Sequence, residues 1–283
     1  MGPLITTDEL AARLEGGAPT VLFDCRFSLA EPELGRRQWL EAHIPGAMYA
    51  HLDDDLSSPV RPGTGRHPLP EAGAFAEFLA LNGWQPGVPV VAYDAQGGAM
   101  AARLWWLMKY FGGHAAAVLD GGWNAWLDED RPTASGHESA IPATPISLSP
   151  RPELVLGADG VARALDQDEI TLLDARGAER FRGDTEPLDR KAGHVPGARN
   201  RPFSGNLDEH GRFKPAETLR KEFVALGDRA PHDVVHMCGS GVTACHNLLA
   251  MEVAGLTGSQ LFPGSWSEWV DDRGRPVATG KER

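Results

Sequence analysis

Cys238 opens the run Cys238-Gly239-Ser240-Gly241-Val242-Thr243-Ala244, directly after the apolar segment Val234-Val235-His236-Met237. The order reads as a short strand, a Gly-containing loop and a helical pattern from Ala244 to Ala254. Such a junction aims backbone N–H groups at one point with the positive end of a helix behind them, which is how a chain binds an anion. A Cys there is a candidate nucleophile. The thiolate is the reactive form, a free thiol has a pKa of about 8.5, and surrounding amides lower it. Gly239, Ser240, Gly241, Val242 and Thr243 form the candidate anion-binding loop. Ser240 is a second candidate for chemistry, as a hydrogen-bond donor to a substrate or to the sulfur, and Thr243 is expected to cap the helix.

The elements that must position this loop occur twice. Val21-Leu22-Phe23-Asp24-Cys25-Arg26 stands opposite Thr171-Leu172-Leu173-Asp174-Ala175-Arg176, each an apolar strand ending in Asp-x-Arg. Ala42-His43-Ile44-Pro45-Gly46-Ala47 matches Gly193-His194-Val195-Pro196-Gly197-Ala198. Val90-Val91-Ala92-Tyr93-Asp94 matches Val234 to Cys238, and Gly121-Gly122-Trp123-Asn124-Ala125-Trp126 matches Gly264-Ser265-Trp266-Ser267-Glu268-Trp269. Four blocks in one order at nearly constant spacing mean a duplicated domain. The expected domains are residues 1–138 and 153–283. Residues 139–152, with Pro142, Pro145, Pro150 and Pro152, read as a linker.

Short apolar strands alternate with amphipathic patterns at Phe75–Leu81 and Leu219–Leu226 and apolar helical runs at Ala101–Phe111 and Ala244–Val253. The fold class is therefore α/β, with tandem domains that each carry a mostly parallel sheet and helices on both faces. Sites in such sheets form at the carboxyl ends of strands, where Cys238 sits. The position matching Cys238 in the first copy is Asp94, so the second copy is expected to carry the chemistry and the first to be catalytically inactive. Features present in both copies read as architecture: the Asp24/Arg26 and Asp174/Arg176 pairs, His43 and His194 before their Pro-Gly turns, and the paired tryptophans. Arg66-His67, in a polar Pro-rich loop of the first domain, is a further candidate to reach over the active-site cleft.

The chain has 283 residues and a formal net charge of −12, which argues against nucleic acid or an anionic membrane as partner. Its three cysteines, Cys25, Cys238 and Cys245, do not suit a disulfide scaffold, and no Cys/His spacing suits zinc. No apolar run approaches the roughly 20 residues of a membrane span. The first residues lack a basic stretch followed by an apolar one, so a cytoplasmic location is expected.

These blocks resemble the rhodanese family of two-domain sulfurtransferases across nearly the whole chain. The resemblance implies that Cys238 takes a sulfur atom as a persulfide and hands it to a thiol, either a small thiol or a thioredoxin-like protein, or to cyanide, with no cofactor and no metal. The donor it implies is a small anion, 3-mercaptopyruvate or thiosulfate. The loop Cys-Gly-Ser-Gly-Val-Thr is similar to the 3-mercaptopyruvate branch, whereas the thiosulfate branch usually has Arg-Lys after the Cys. The family binds its substrate anion through two arginines. Arg180 matches the first. The second usually follows Glu-Pro directly, but here Leu188 follows Glu186-Pro187 and Arg190 comes two residues later. The 3-mercaptopyruvate branch also places an Asp before the first His-x-Pro-Gly turn as partner of the loop Ser. This chain has only Glu41 nearby.

Alternative readings are a thiosulfate:cyanide sulfurtransferase, a Cys-loop phosphatase or arsenate reductase, and a non-catalytic binding module. The phosphatase type needs Arg six residues after the Cys to clamp its transition state, and Ala244 stands there. An intact Cys in a Gly-containing nest argues against the binding module.

Overall fold

The strand segments are apolar at almost every position, so they can only sit in a sheet covered on both sides. The computed structural model describes residues 1–112, 114–227 and 229–281. It contains two compact units, each built on a parallel sheet with helices around it.

The first unit comprises Met1–Ser58, Pro70–Arg151 and Glu209–Phe213. Its strands are β1 (Leu4–Ile5), β2 (Val21–Asp24), β3 (Ala47–Tyr49), β4 (Val90–Tyr93) and β5 (Ala116–Leu119), in the order β1-β5-β4-β2-β3. Its helices are α1 (Thr7–Glu15), α2 (Leu34–Glu41), α3 (Ala72–Leu81), α4 (Ala101–Tyr110) and α5 (Gly122–Asp128). Helix α1 starts on a capping box in which Thr6 and Glu9 satisfy each other's backbone N–H groups.

The second unit comprises Pro59–Leu69, Pro152–Asp208 and the chain from Lys214 onward. Its strands are β6 (Thr171–Asp174), β7 (Arg199–Asn200), β8 (Val234–Met237) and β9 (Gln260–Leu261), in the order β7-β6-β8-β9. Its helices are α6 (Ala158–Asp166), α7 (Ala178–Arg182), α8 (Ala216–Val224), α9 (Ala244–Val253) and α10 (Ser265–Asp271). The counterpart of β1 is reduced to one parallel bridge, Val155 with Leu261. The units are not continuous in sequence. Arg66 and His67, read from sequence as part of the first domain, lie on a segment that packs within the second unit.

Strands β2, β4, β6 and β8 are buried along their whole length. Helices α4 and α9 are buried on nearly every side, which explains why they are largely apolar rather than striped. The core of the second unit joins Leu172, Val235, Met237, Phe262, Trp266 and Trp269. That of the first joins the equivalent Leu22, Val91, Tyr93, Trp123 and Trp126. Among the described residues, no helix is long and apolar enough to cross a membrane.

Candidate active site

Strand β8 lies between β6 and β9, and Asp174 at the end of β6 pairs in register with Met237, the residue before Cys238. The Asp-x-Arg motif braces this end of the sheet. The Asp174 carboxylate accepts from the Arg176 backbone N–H (3.0 Å) and from its Nη2 (2.7 Å), and Nη2 also donates to the Gly193 carbonyl (2.8 Å). The Arg176 guanidinium stacks 4.6 Å from the Trp266 ring. In the first unit Arg26 repeats each contact, with Asp24, the Ala42 carbonyl and Trp123. The pair is architectural in both copies, as its repetition predicts. His43 and His194 likewise tie their turns to neighbouring backbone, through Nδ1 to the carbonyls of Trp39 and Phe181 at 2.6 and 2.8 Å.

Cys238 is buried, with 2% of its surface exposed. The Gly241 N–H donates to its Sγ at 3.2 Å, so the loop does turn an amide onto the sulfur. Gly241 has φ +76°, and a Cβ there would lie 2.2 Å from the Pro263 carbonyl oxygen, so only glycine fits. The Cys238 backbone is held as well. Its N–H donates to Ser265 Oγ (3.0 Å), and its carbonyl accepts from the Trp266 N–H (3.0 Å). Ser265 Oγ in turn donates to the Phe262 carbonyl (2.8 Å). Cys245 donates its thiol to the Gly241 carbonyl at 3.3 Å and bears on the same turn. Thr243 makes no side-chain cap to α9, contrary to expectation. Its own backbone is already helical, whereas an N-cap side chain reaches N2 or N3 from an extended residue.

The matching loop of the first unit is already filled. The Asp94 carboxylate accepts four backbone N–H groups: Gln96 (2.7 Å) and Gly98 (2.9 Å) on one oxygen, Met100 (2.7 Å) and Ala101 (2.8 Å) on the other. The strand-to-helix junction is thus an anion nest, and in this copy the anion is part of the chain.

Around Cys238 the second unit gathers three more groups. His67 Nδ1 lies 2.6 Å from Ser240 Oγ, both residues buried. The partner of the loop Ser is therefore a His from the Pro59–Leu69 segment. Glu41 is exposed on the last turn of α2. The guanidinium groups of Arg66 and Arg180 lie over Gly239, at 2.9 and 3.6 Å from where its Cβ would stand. Cations therefore flank the loop although its sequence contains none.

Both arginines are paired. Arg180 Nη2 bonds Glu186 Oε1 at 2.6 Å and Asp189 Oδ2 at 3.4 Å, and Arg66 Nη1 bonds Asp189 Oδ1. Burial pushes Glu186 up, but the Arg180 guanidinium and the N–H groups of Leu188 and Asp189 outweigh it and hold its carboxyl below the usual range. For Asp189 burial wins over Arg66 and its pKa is raised. Arg190 is exposed and lines a cleft of about 420 Å³ with Arg66, Asp189 and Ser267. Cys238 does not line that cleft.

Arg180 is thus brought to the loop, and Arg190 sits further out. The motif reading missed Asp189 and the role of Ser265. The signal for Asp189 was the displaced second arginine after Glu186-Pro187. The signal for Ser265 was a serine where the first copy has Gly122.

The rhodanese-like domain family matches residues 6–129 and 157–272, and the chain belongs to this family. It is 46% identical, over 98% of both chains, to the "Probable 3-mercaptopyruvate sulfurtransferase" of Pseudomonas aeruginosa. It is 31% identical to the thiosulfate sulfurtransferase of Gallus gallus, with 89% of this chain and 87% of that one covered. The 3-mercaptopyruvate sulfurtransferase from Leishmania major has a similar structure, with a TM-score of 0.82 at 30% identity over 95% of this chain and 75% of that one.

Proposed function

We propose that the chain is a sulfurtransferase in which Cys238 accepts a sulfur atom from 3-mercaptopyruvate and passes it to a thiol or to cyanide. The observation that carries this is the Gly241 N–H directed at the Cys238 sulfur inside a nest of the kind that holds Asp94 in the first unit. The Cys238 thiolate attacks the donor thiol sulfur. The carbon–sulfur bond breaks, and its electron pair goes to the methylene carbon as the enolate of pyruvate. The proton of the donor thiol ends on that carbon. Pyruvate leaves, and Cys238 carries a persulfide anion among the loop amides. Cyanide or a thiolate then takes the outer sulfur and restores the thiolate, a covalent double displacement.

In this reading Ser240, whose Oγ lies 2.6 Å from His67 Nδ1, hydrogen-bonds the oxygen on which enolate charge develops. Arg180 and Arg66, whose guanidiniums lie over Gly239, meet the donor's carboxylate in this reading. The first unit takes no part in the chemistry, because Asp94 stands where a sulfur would be needed.

A second reading, with thiosulfate as the main donor, is favoured by one observation: Arg66 and Arg180 supply the cations missing from the loop. There the sulfur–sulfur bond breaks and sulfite leaves with the electron pair. Mass spectrometry after donor treatment tests both. The peptide with Cys238 gains one sulfur atom, which cyanide removes, and Cys238→Ser does not gain it. No gain with either donor ends the proposal.

A further inference from the structure

Asp189 makes an unusual use of a site meant for an anion. Its side chain is 5% exposed, and its two carboxylate oxygens bond different arginines, Oδ1 with Arg66 and Oδ2 with Arg180. These are the two guanidinium groups that lie over Gly239. A carboxylate of the chain therefore sits between the cations that face the catalytic loop.

The charge balance of the cluster follows from its pairs. Arg176 pairs with Asp174 and Glu186, Arg180 with Glu186 and Asp189, and Arg66 with Asp189. Three guanidiniums meet three carboxylates, so the side chains present no net positive charge to a donor. In a largely desolvated cluster a charge without a counterion is costly. A donor with one permanent negative charge can exchange places with the Asp189 carboxylate on the arginines. A dianion brings a second charge that no arginine of this cluster is left to meet; next to it lie the loop amides and, further out on the cleft, Arg190.

We infer that Asp189 is a specificity-determining residue that sets the charge of the sulfur donor, favouring a monoanion such as 3-mercaptopyruvate over the thiosulfate dianion by completing the charge balance of Arg66 and Arg180 beside the loop. This rests on the sulfurtransferase reading. It also explains how a loop flanked by two arginines can belong to an enzyme of the monoanionic donor.

The test is Asp189→Asn, which keeps the shape of the side chain and removes its charge. The ratio of kcat/KM for thiosulfate to that for 3-mercaptopyruvate should rise at least tenfold, mostly through a lower KM for thiosulfate. A purely structural role would lower both donors together. An unchanged or lower ratio in a folded variant overturns the inference.

A second measurement needs no variant. Pyruvate, a monoanion, should inhibit the wild-type enzyme at a lower concentration than sulfate, a dianion. Sulfate inhibiting tenfold more strongly overturns the inference as well. Failure of the underlying reading looks different: the wild type then forms no persulfide with either donor.

Discussion

Ser265 is fully buried and has φ +53°, in the left-handed region that residues with a Cβ avoid. The first copy has Gly122 at this position, with φ +57°. The second copy therefore keeps a strained residue where glycine would relax, and what it gains is a hydroxyl that accepts the Cys238 N–H. Two substitutions separate the terms. Ser265→Ala keeps the Cβ and removes the hydroxyl, leaving the Cys238 N–H buried without that acceptor, at about 1–3 kcal/mol. Ser265→Gly loses the same hydrogen bond but relieves the left-handed strain, which costs about 1 kcal/mol for a residue with a Cβ. One kcal/mol moves the melting temperature by about 2–4 °C in a chain of roughly this size. Ser265→Ala should therefore melt about 2–12 °C below wild type, and Ser265→Gly about 2–4 °C above Ser265→Ala. Persulfide formation, followed by stopped-flow with 3-mercaptopyruvate, should slow in both variants by a similar factor, because both release the Cys238 backbone. The reasoning fails if Ser265→Gly melts at or below Ser265→Ala, or if Ser265→Ala forms persulfide at the wild-type rate.

Gly241→Ala drives a Cβ to 2.2 Å from the Pro263 carbonyl oxygen. The turn must shift and take its N–H off the sulfur, so single-turnover persulfide formation should fall about a hundredfold, the usual effect of losing one such donor. His236 is fully buried on β8, and desolvation lowers its pKa to about 3. Below pH 6.5 the unfolded chain takes up that proton while the native chain does not, so stability present above pH 6.5 is lost as pH falls toward 3. Each pH unit corresponds to at most about 1.4 kcal/mol, or about 2 kcal/mol between pH 6.5 and 5. His236→Leu should flatten that part of the urea-midpoint profile, and an unchanged slope refutes the assignment.

The duplication, the α/β class and the loop after Val234–Met237 were legible because they are local. Strand runs, Asp-x-Arg ends and Pro-Gly turns are written in neighbouring residues, and each is repeated. The architectural reading of Asp174/Arg176, His194 and Trp266 followed from comparing one copy with the other, and their hydrogen bonds bear it out. Thr243 was misread because residue type alone does not report the backbone geometry that capping requires.

Local residue patterns were enough to place one sulfur, Cys238, in a strand-to-helix nest and Asp94 in the equivalent nest. What surrounds Cys238 depends on contacts between distant parts of the chain. His67 is 173 residues from Ser240 and Arg66 is 123 from Asp189. Contacts at such separations depend on how the Pro59–Leu69 segment packs, and no local pattern encodes that. The charge next to the loop was hidden for the same reason: the cations come from Arg66 and Arg180, and their neutralisation comes from Glu186 together with Asp189, a residue that in sequence marks only a displaced arginine.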